Sequence, residues 1–231
     1  MRKNNTCGTC EFFIEEDKGS PYCVLKDLYT FVDFREDACK DYQKKEKVYI
    51  MHLFLLKKCL HNCDMCCNKL YDIGKIKVAT VDELKTVDTV CFTGGEPFLI
   101  DGLNNIALKL KKQYPNIKNI YTYTSGLQLL KYIEKQSANC LHGIDGVTIS
   151  PKNKSEWDAV KVLLTNDKYN SILKGLKSNR LYVFREDIKT YEDIKDIVNN
   201  TNLEVIDRKW DKAAKTHKNE IFRRLQILLD N

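Results

Sequence analysis

No apolar run in this 231-residue chain approaches the roughly 20 residues of a membrane span, so no membrane partner is expected. Its start, Met1-Arg2-Lys3-Asn4-Asn5, is polar and lacks the apolar stretch of a signal peptide, which makes cytoplasm the expected compartment. His52, His61, His142 and His217 fall at no ligand spacing, which gives none of them a metal role. Charge of one sign is not concentrated either. The net charge of +6 comes from scattered lysines. Such scatter is a solvated surface; it suits an anionic or nucleotide-like substrate and does not indicate nucleic acid.

What the chain does have is an ordinary globular composition, 43% hydrophobic and 30% charged, and ten cysteines. Its length allows one well-cored domain plus a small appendage. In a reducing compartment ten cysteines point to metal ligation rather than to disulfides. Four of them, Cys7-x2-Cys10, Cys23 and Cys39, lie in the first 46 residues. Phe12, Phe13, Tyr22, Phe31, Phe34 and Tyr42 supply a miniature core there, too small to hold a fold without a metal or cross-links. Four thiolates meet the ligand count of a closed tetrahedral site, so zinc or mononuclear iron is favoured over an auxiliary cluster. The bland alternative is four buried, unliganded thiols. The charged run 41–47 reads as a linker, giving a four-cysteine module over 1–46 and a second domain over 47–231.

That second domain alternates. Apolar, β-branched or aromatic runs at Val48–Leu56, Thr89–Phe92, Ile117–Thr124, Ile144–Ser150, Leu181–Phe184 and Leu203–Ile206 predict six strands. Between them, Leu103, Ile106, Ala107 and Leu110 share one helical face, and Leu127, Leu130, Ile133 and Glu134 suggest another. Thr80 with Glu83, Ser155 with Asp158 and Thr190 with Asp193 have capping-box spacing or its aspartate variant. Strand then capped helix, repeated about six times, predicts a parallel α/β fold, here with a helix at the carboxyl end. Cys91, inside a strand, and Cys140, near a helix end, read as small buried hydrophobes.

Two motifs carry chemistry. Cys59, Cys63 and Cys66 stand as C-x3-C-x2-C just after the first predicted strand. Thiolates in one short loop suit a soft metal or an iron–sulfur cluster. Structural zinc wants four protein ligands, and the fourth would have to be Cys67 or His61; a cubane held by three leaves one iron open. About thirty residues on, Thr93-Gly94-Gly95-Glu96-Pro97 follows the second strand. In this order and spacing the pair resembles the radical S-adenosylmethionine superfamily, over roughly residues 47–210. One departure is Met65, where the family usually has an aromatic residue; a thioether also packs against an adenine ring.

The resemblance implies an open partial (βα)6 barrel with its reactive residues at the carboxyl ends of the strands. It implies a [4Fe–4S] cluster on Cys59, Cys63 and Cys66 whose open iron chelates S-adenosylmethionine. Reductive cleavage then yields methionine and a 5′-deoxyadenosyl radical that abstracts hydrogen from an unidentified substrate. A low-potential electron donor such as flavodoxin or ferredoxin is implied as partner. Gly94, Gly95, Glu96 and Pro97 match the turn that meets the methionine end of the cofactor, where a backbone without Cβ approaches closely. Thr124 and Ser125 match a threonine-asparagine-glycine turn with serine replacing asparagine. Ser150 and Lys152 match the position of ribose and carboxylate contacts, and Arg185 and Asp207 stand just beyond the fifth and sixth strands on the same rim.

No cysteine follows Cys140, so the carboxyl-terminal cluster domains of many peptide-modifying relatives are missing. The chain resembles compact members such as glycyl-radical activases and 7-carboxy-7-deazaguanine synthases. The synthase's glutamine-glycine-glutamate start is not present. From a different class stands a non-catalytic module whose two cysteine groups both hold zinc.

Overall fold

In a computed structural model, residues 13–14, 22–23, 49–60, 63, 66–70, 72–136, 140–209 and 219–226 are described. The chain divides into two compact units, Met1–Lys47 and Val48–Asn231. In the first, strands β1 (Phe13–Ile14) and β2 (Tyr22–Cys23) pair antiparallel, Phe13 opposite Cys23. Cys7, Cys10 and Cys39 lie outside the described residues, and of Cys23 only the strand is described.

The second unit grows from β3 (Ile50–Leu56), an apolar run buried at every position after the first. A strand hydrophobic on both faces belongs inside a parallel sheet, and β3 has parallel neighbours on both sides. Five more strands follow in chain order, β4 (Thr89–Gly94), β5 (Asn119–Thr124), β6 (Gly146–Ile149), β7 (Asn179–Phe184) and β8 (Leu203–Arg208), each parallel to the one before. All six predicted strands are there, shifted by a few residues at their ends. The sheet is a partial barrel, as expected, but it has a seventh strand. β9 (Glu220–Arg224) adds parallel on the free side of β3, giving the order β8-β7-β6-β5-β4-β3-β9. This strand was not among those predicted; residues 210–218 and 227–231, on which the expected carboxyl-terminal helix would fall, lie outside the described residues.

The crossovers are helical. α1 (Val81–Thr86) starts on the predicted capping box, in which Glu83 N donates to Thr80 Oγ1 at 3.2 Å and Thr80 N to Glu83 Oε2 at 3.1 Å. The other oxygen of Glu83 accepts from Arg223 of β9, and Arg224 N donates to Lys77 O at 3.0 Å. One carboxylate thus caps a helix and fastens the unforeseen strand. α2 (Leu103–Gln113) and α3 (Leu127–Lys135) present the predicted faces, burying Leu103, Ala107, Leu130 and Ile133. α4 (Lys154–Thr165) begins earlier than expected: Asn153, not Ser155, is its cap and accepts from Glu156 N at 3.1 Å. A separate helix, α5 (Asp167–Lys174), follows it. Thr190 is likewise no cap, since it lies inside the short helix α6 (Ile188–Glu192), after which α7 (Lys195–Asn199) leads to β8.

These helices pack on one face of the sheet, where Met51, Leu53, Phe92, Ile120, Ile149 and Leu181 are essentially inaccessible. Each such side chain contributes about 1.5–3 kcal/mol by leaving water. Cys91 and Cys140 are buried thiols, and burial pushes Cys91 up to about 12. No helix among the described residues is long and apolar enough to cross a membrane.

Candidate functional site

The carboxyl end of a parallel strand is where loops escape the hydrogen-bond ladder, and each motif of the sequence sits at such an end. Beyond β3 the chain turns outward: Lys57, Lys58, Cys59 and Leu60 are exposed, while Cys63 and Cys66 are half-buried. Burial raises the Cys63 thiol, Glu156 adds to this, Lys152 opposes it, and Cys59 and Cys66 raise it further. The three thiols therefore lie within electrostatic reach of one another and of the start of α4. Three soft donors on one loop fit a thiolate-bound cluster. Among the described residues, no three His, Cys, Asp or Glu side chains converge on one point, as the ligands of a single ion must. Ligands of a cubane each take a different iron and need no such convergence. His61 and Met65 lie outside the described residues, as does the side chain of Cys67.

The glycine turn grips the root of this loop. Gly95 N donates to Leu56 O at 2.7 Å and Glu96 N to Lys58 O at 3.0 Å. Further along the loop, the side-chain amide of Asn68 reaches back to Gly94 O. Gly94 has φ 127°, a conformation that side chains resist, and a Cβ on it would stand 2.5 Å from Leu56 O. At Gly95 the added carbon would stand 1.7 Å from Lys58 O and 2.9 Å from Lys57 O. The chain itself therefore supplies a reason for glycine here. The space at Gly95 is filled by the backbone of the cysteine loop, and its amide is given to that loop. Glycine serves to seat Cys59 one residue beyond Lys58.

Glu96 turns inward, where the side chain is essentially inaccessible. It caps the short turn Pro97–Leu99, accepting from Phe98 N at 3.3 Å, and Pro97 occupies the first position of that turn. Its other oxygen accepts from Thr124 Oγ1 at 3.1 Å and Ser125 N at 2.9 Å, across to the end of β5. Burial pushes its carboxyl up to about 7, outweighing the Ser125, Phe98 and Thr124 donors that favour the anion. The second and third motifs are thereby joined through one buried carboxylate. Thr124 is itself buried, with its hydroxyl committed to Glu96.

After β6, Lys152 Nζ donates to Ser150 O at 3.1 Å and to Ser150 Oγ at 3.2 Å, and lies 5.7 Å from the centre of the Phe184 ring. Its backbone N donates to Glu156 Oε2 at 2.6 Å. Glu156 is fully buried and its charge raises the Cys63 thiol, a placement missed in the sequence although Asn153 and Glu156 have capping spacing. Arg185 is exposed just beyond β7. Asp207 is exposed too, but it lies within β8 rather than beyond it.

The face of the sheet away from the helices forms the floor. Ring contacts run from Phe222 to His52 (5.1 Å between centres), to Tyr123 (6.0 Å) and to Tyr182 (6.4 Å), with Arg208 4.6 Å above Tyr182. These rings come from β9, β3, β5 and β7, while intervening β4 and β6 offer only Cys91 and Thr148 at neighbouring positions. Large side chains from alternate strands fill a barrel interior in this way. His52 stands 3.3 Å from Glu220 Oε2.

No protein-family model matches the chain, and no curated protein matches it. Among solved structures, it is similar to one described as the crystal structure of BtrN in complex with AdoMet and 2-DOIA. The identity is 15%, the match covers 71% of this chain and 71% of that chain, and the TM-score is 0.39. So loose a likeness carries nothing about chemistry, which has to come from the chain's own residues.

Proposed function

We propose that the chain is a radical S-adenosylmethionine enzyme acting on a substrate still to be identified. The observation that supports this best is the junction of its two motifs, in which Gly95 N and Glu96 N bond the carbonyls of Leu56 and Lys58. A cysteine loop and a Gly-Gly-Glu-Pro turn far apart in sequence thus meet at one rim, at the ends of neighbouring parallel strands.

In this reading Cys59, Cys63 and Cys66 hold a [4Fe–4S] cluster. When bound, the cluster supplies one electron for reductive cleavage of S-adenosylmethionine. The chain's own residues do the positioning. The glycine turn fixes the root of the loop, and Glu96 ties that turn to Thr124 and Ser125. Ser150 and Lys152 offer a hydroxyl and an ammonium at the end of β6, groups suited to a ribose and a carboxylate. Phe184, under Lys152, keeps that side of the rim apolar and excludes water. The electron comes from a low-potential donor. The four cysteines Cys7, Cys10, Cys23 and Cys39 hold zinc or iron in a module of their own, within which metal and folding are coupled.

Metal analysis of two variants side by side tests both sites. Cys63→Ala is expected to lose the cluster's iron and sulfide and all production of 5′-deoxyadenosine, while keeping the fold, because Cys63 stands on a loop and not in the core. Cys7→Ala is expected to keep the cluster and lose the second metal together with stability. Wild-type 5′-deoxyadenosine production by Cys63→Ala would sink the enzyme reading. Zinc in both cysteine groups would replace it with the structural module.

A further inference from the structure

We propose that Arg208 anchors the substrate and selects for an oxyanion, a carboxylate or a phosphate, on a small molecule with an aromatic ring. This rests on the enzyme reading above, which leaves the substrate open. Side chains two apart on a strand, and side chains paired in register on neighbouring strands, share one face of a sheet. Tyr182 and Phe184 of β7 pair with Ile206 and Arg208 of β8, so all four stand on the face that carries the aromatic floor. Tyr123, Tyr182 and Ile206 are only half-buried there. Arg208 lies exposed at the carboxyl end of β8, with its Cζ 4.6 Å from the centre of the Tyr182 ring. Lys152, proposed above for the cofactor, comes from the β6 side and holds its Nζ 5.7 Å from the Phe184 ring. Two residues of a strand advance about 6–7 Å. A group held by Arg208 over Tyr182 is therefore a neighbour of one held by Lys152 over Phe184.

The other charges of this face are spent within the fold. Arg180 pairs with Glu204 at 3.0 Å, and Glu220 stands against His52. Arg224 gives its donors to the carbonyls of Ile76, Leu225 and Gln226. Among the described residues, the Arg208 side chain makes no ion pair and no hydrogen bond, only its contact with the ring. A guanidinium laid on a ring keeps its charge and its in-plane N–H groups, and the ring holds it in place before anything binds. That planar fork matches two oxygens of a carboxylate or a phosphate. The neighbouring rings suit a flat aromatic body, because aromatic pairs gain beyond the area they bury. Asp207 falls on the opposite face by the same alternation, so its carboxylate does not oppose an anion at Arg208.

The test titrates benzoate, phenyl phosphate and uncharged benzamide into anaerobically reconstituted protein, following the probes' linewidths by nuclear magnetic resonance. At least one anion is expected to bind wild type more tightly than benzamide does. Its affinity should fall by about tenfold or more in Arg208→Gln, the loss expected for a charge-assisted hydrogen bond. Lys209→Gln removes the same charge one residue on and should bind like wild type. The anion weakened more by Arg208→Gln tells a carboxylate from a phosphate. Reduction of the cluster by dithionite should further broaden the bound probe's lines, because an unpaired electron then lies close by. Equal affinity in wild type and Arg208→Gln, benzamide binding as tightly as the anions, or no binding of either anion would overturn the anchor and leave the enzyme reading standing. Binding that depends on Arg208 in a protein with zinc at Cys59, Cys63 and Cys66, unchanged by dithionite, would overturn the enzyme reading and the substrate role with it.

Discussion

Gly95→Ala is expected to unseat the cysteine loop and to destabilise the protein by about 2–4 kcal/mol, the sum of overpacking and two weakened hydrogen bonds. The added methyl would stand 1.7 Å from Lys58 O and 2.4 Å from Lys58 C, and neither is the free end of a flexible side chain. Either the Lys57–Lys58 backbone moves or the β4 turn does, and both movements pull apart the Gly95–Leu56 and Glu96–Lys58 bonds. Because Cys59 follows Lys58 directly, iron content after reconstitution should drop together with the urea midpoint. A turn that only met the methionine end of S-adenosylmethionine would give a different result, in which the variant keeps its cluster and loses affinity for that cofactor by about 1.5–3 kcal/mol. Iron content decides between the two. Gly102→Ala is the control: nothing lies within 4 Å of its added carbon, so stability should change by less than about 1 kcal/mol. If Gly95→Ala reconstitutes and unfolds like wild type, the grip of the turn on the loop is wrong.

Replacing Glu96 is expected to have the second large effect, and one that depends on pH. Glu96→Ala leaves the donors Phe98 N, Thr124 Oγ1 and Ser125 N facing an interior space, at a cost of about 3–5 kcal/mol. In wild type the folded carboxyl titrates at about 7, above its ordinary 4.5, because burial disfavours the anion more than its donors favour it. A raised carboxyl stabilises the fold fully below the unfolded value and loses that contribution as pH climbs through the folded value. Stability from this group should therefore fall between pH 4.5 and 7 by about 3 kcal/mol. Glu96→Gln keeps one acceptor oxygen and cannot titrate, so its stability relative to wild type should improve across that window. Urea midpoints of both proteins at pH 5 and pH 8 measure the difference. A constant gap would show that Glu96 is ionised in the folded protein throughout.

The strand runs were legible because parallel strands buried on both faces leave continuous apolar or β-branched stretches, as in β3 and β6. β9 was not. Its sequence Glu-Ile-Phe-Arg-Arg mixes an ion partner for His52, a ring for the floor, and two arginines bound to Glu83 and Ile76. Those roles exist only against β3 and the α1 approach, so no local pattern announces them. The start of α4 was misplaced because Asn153 and Ser155 are both good caps, and Ser155 Oγ in fact bonds Asn153 Oδ1 at 2.7 Å. For the site, the position of each motif at a strand end was readable from order alone. The packing at Gly95 and the inward turn of Glu96 were not, since both are set by residues about thirty to forty positions away in the chain.

The most direct test of the central proposal is electron paramagnetic resonance of the anaerobically reconstituted, reduced protein, recorded before and after S-adenosylmethionine is added. Wild type should carry about four irons and four sulfides in the Cys59 loop and show a reduced-cluster signal that shifts on addition. The same sample should release 5′-deoxyadenosine. A colourless protein that keeps zinc at these cysteines, or a cluster signal that S-adenosylmethionine leaves unchanged, would contradict it.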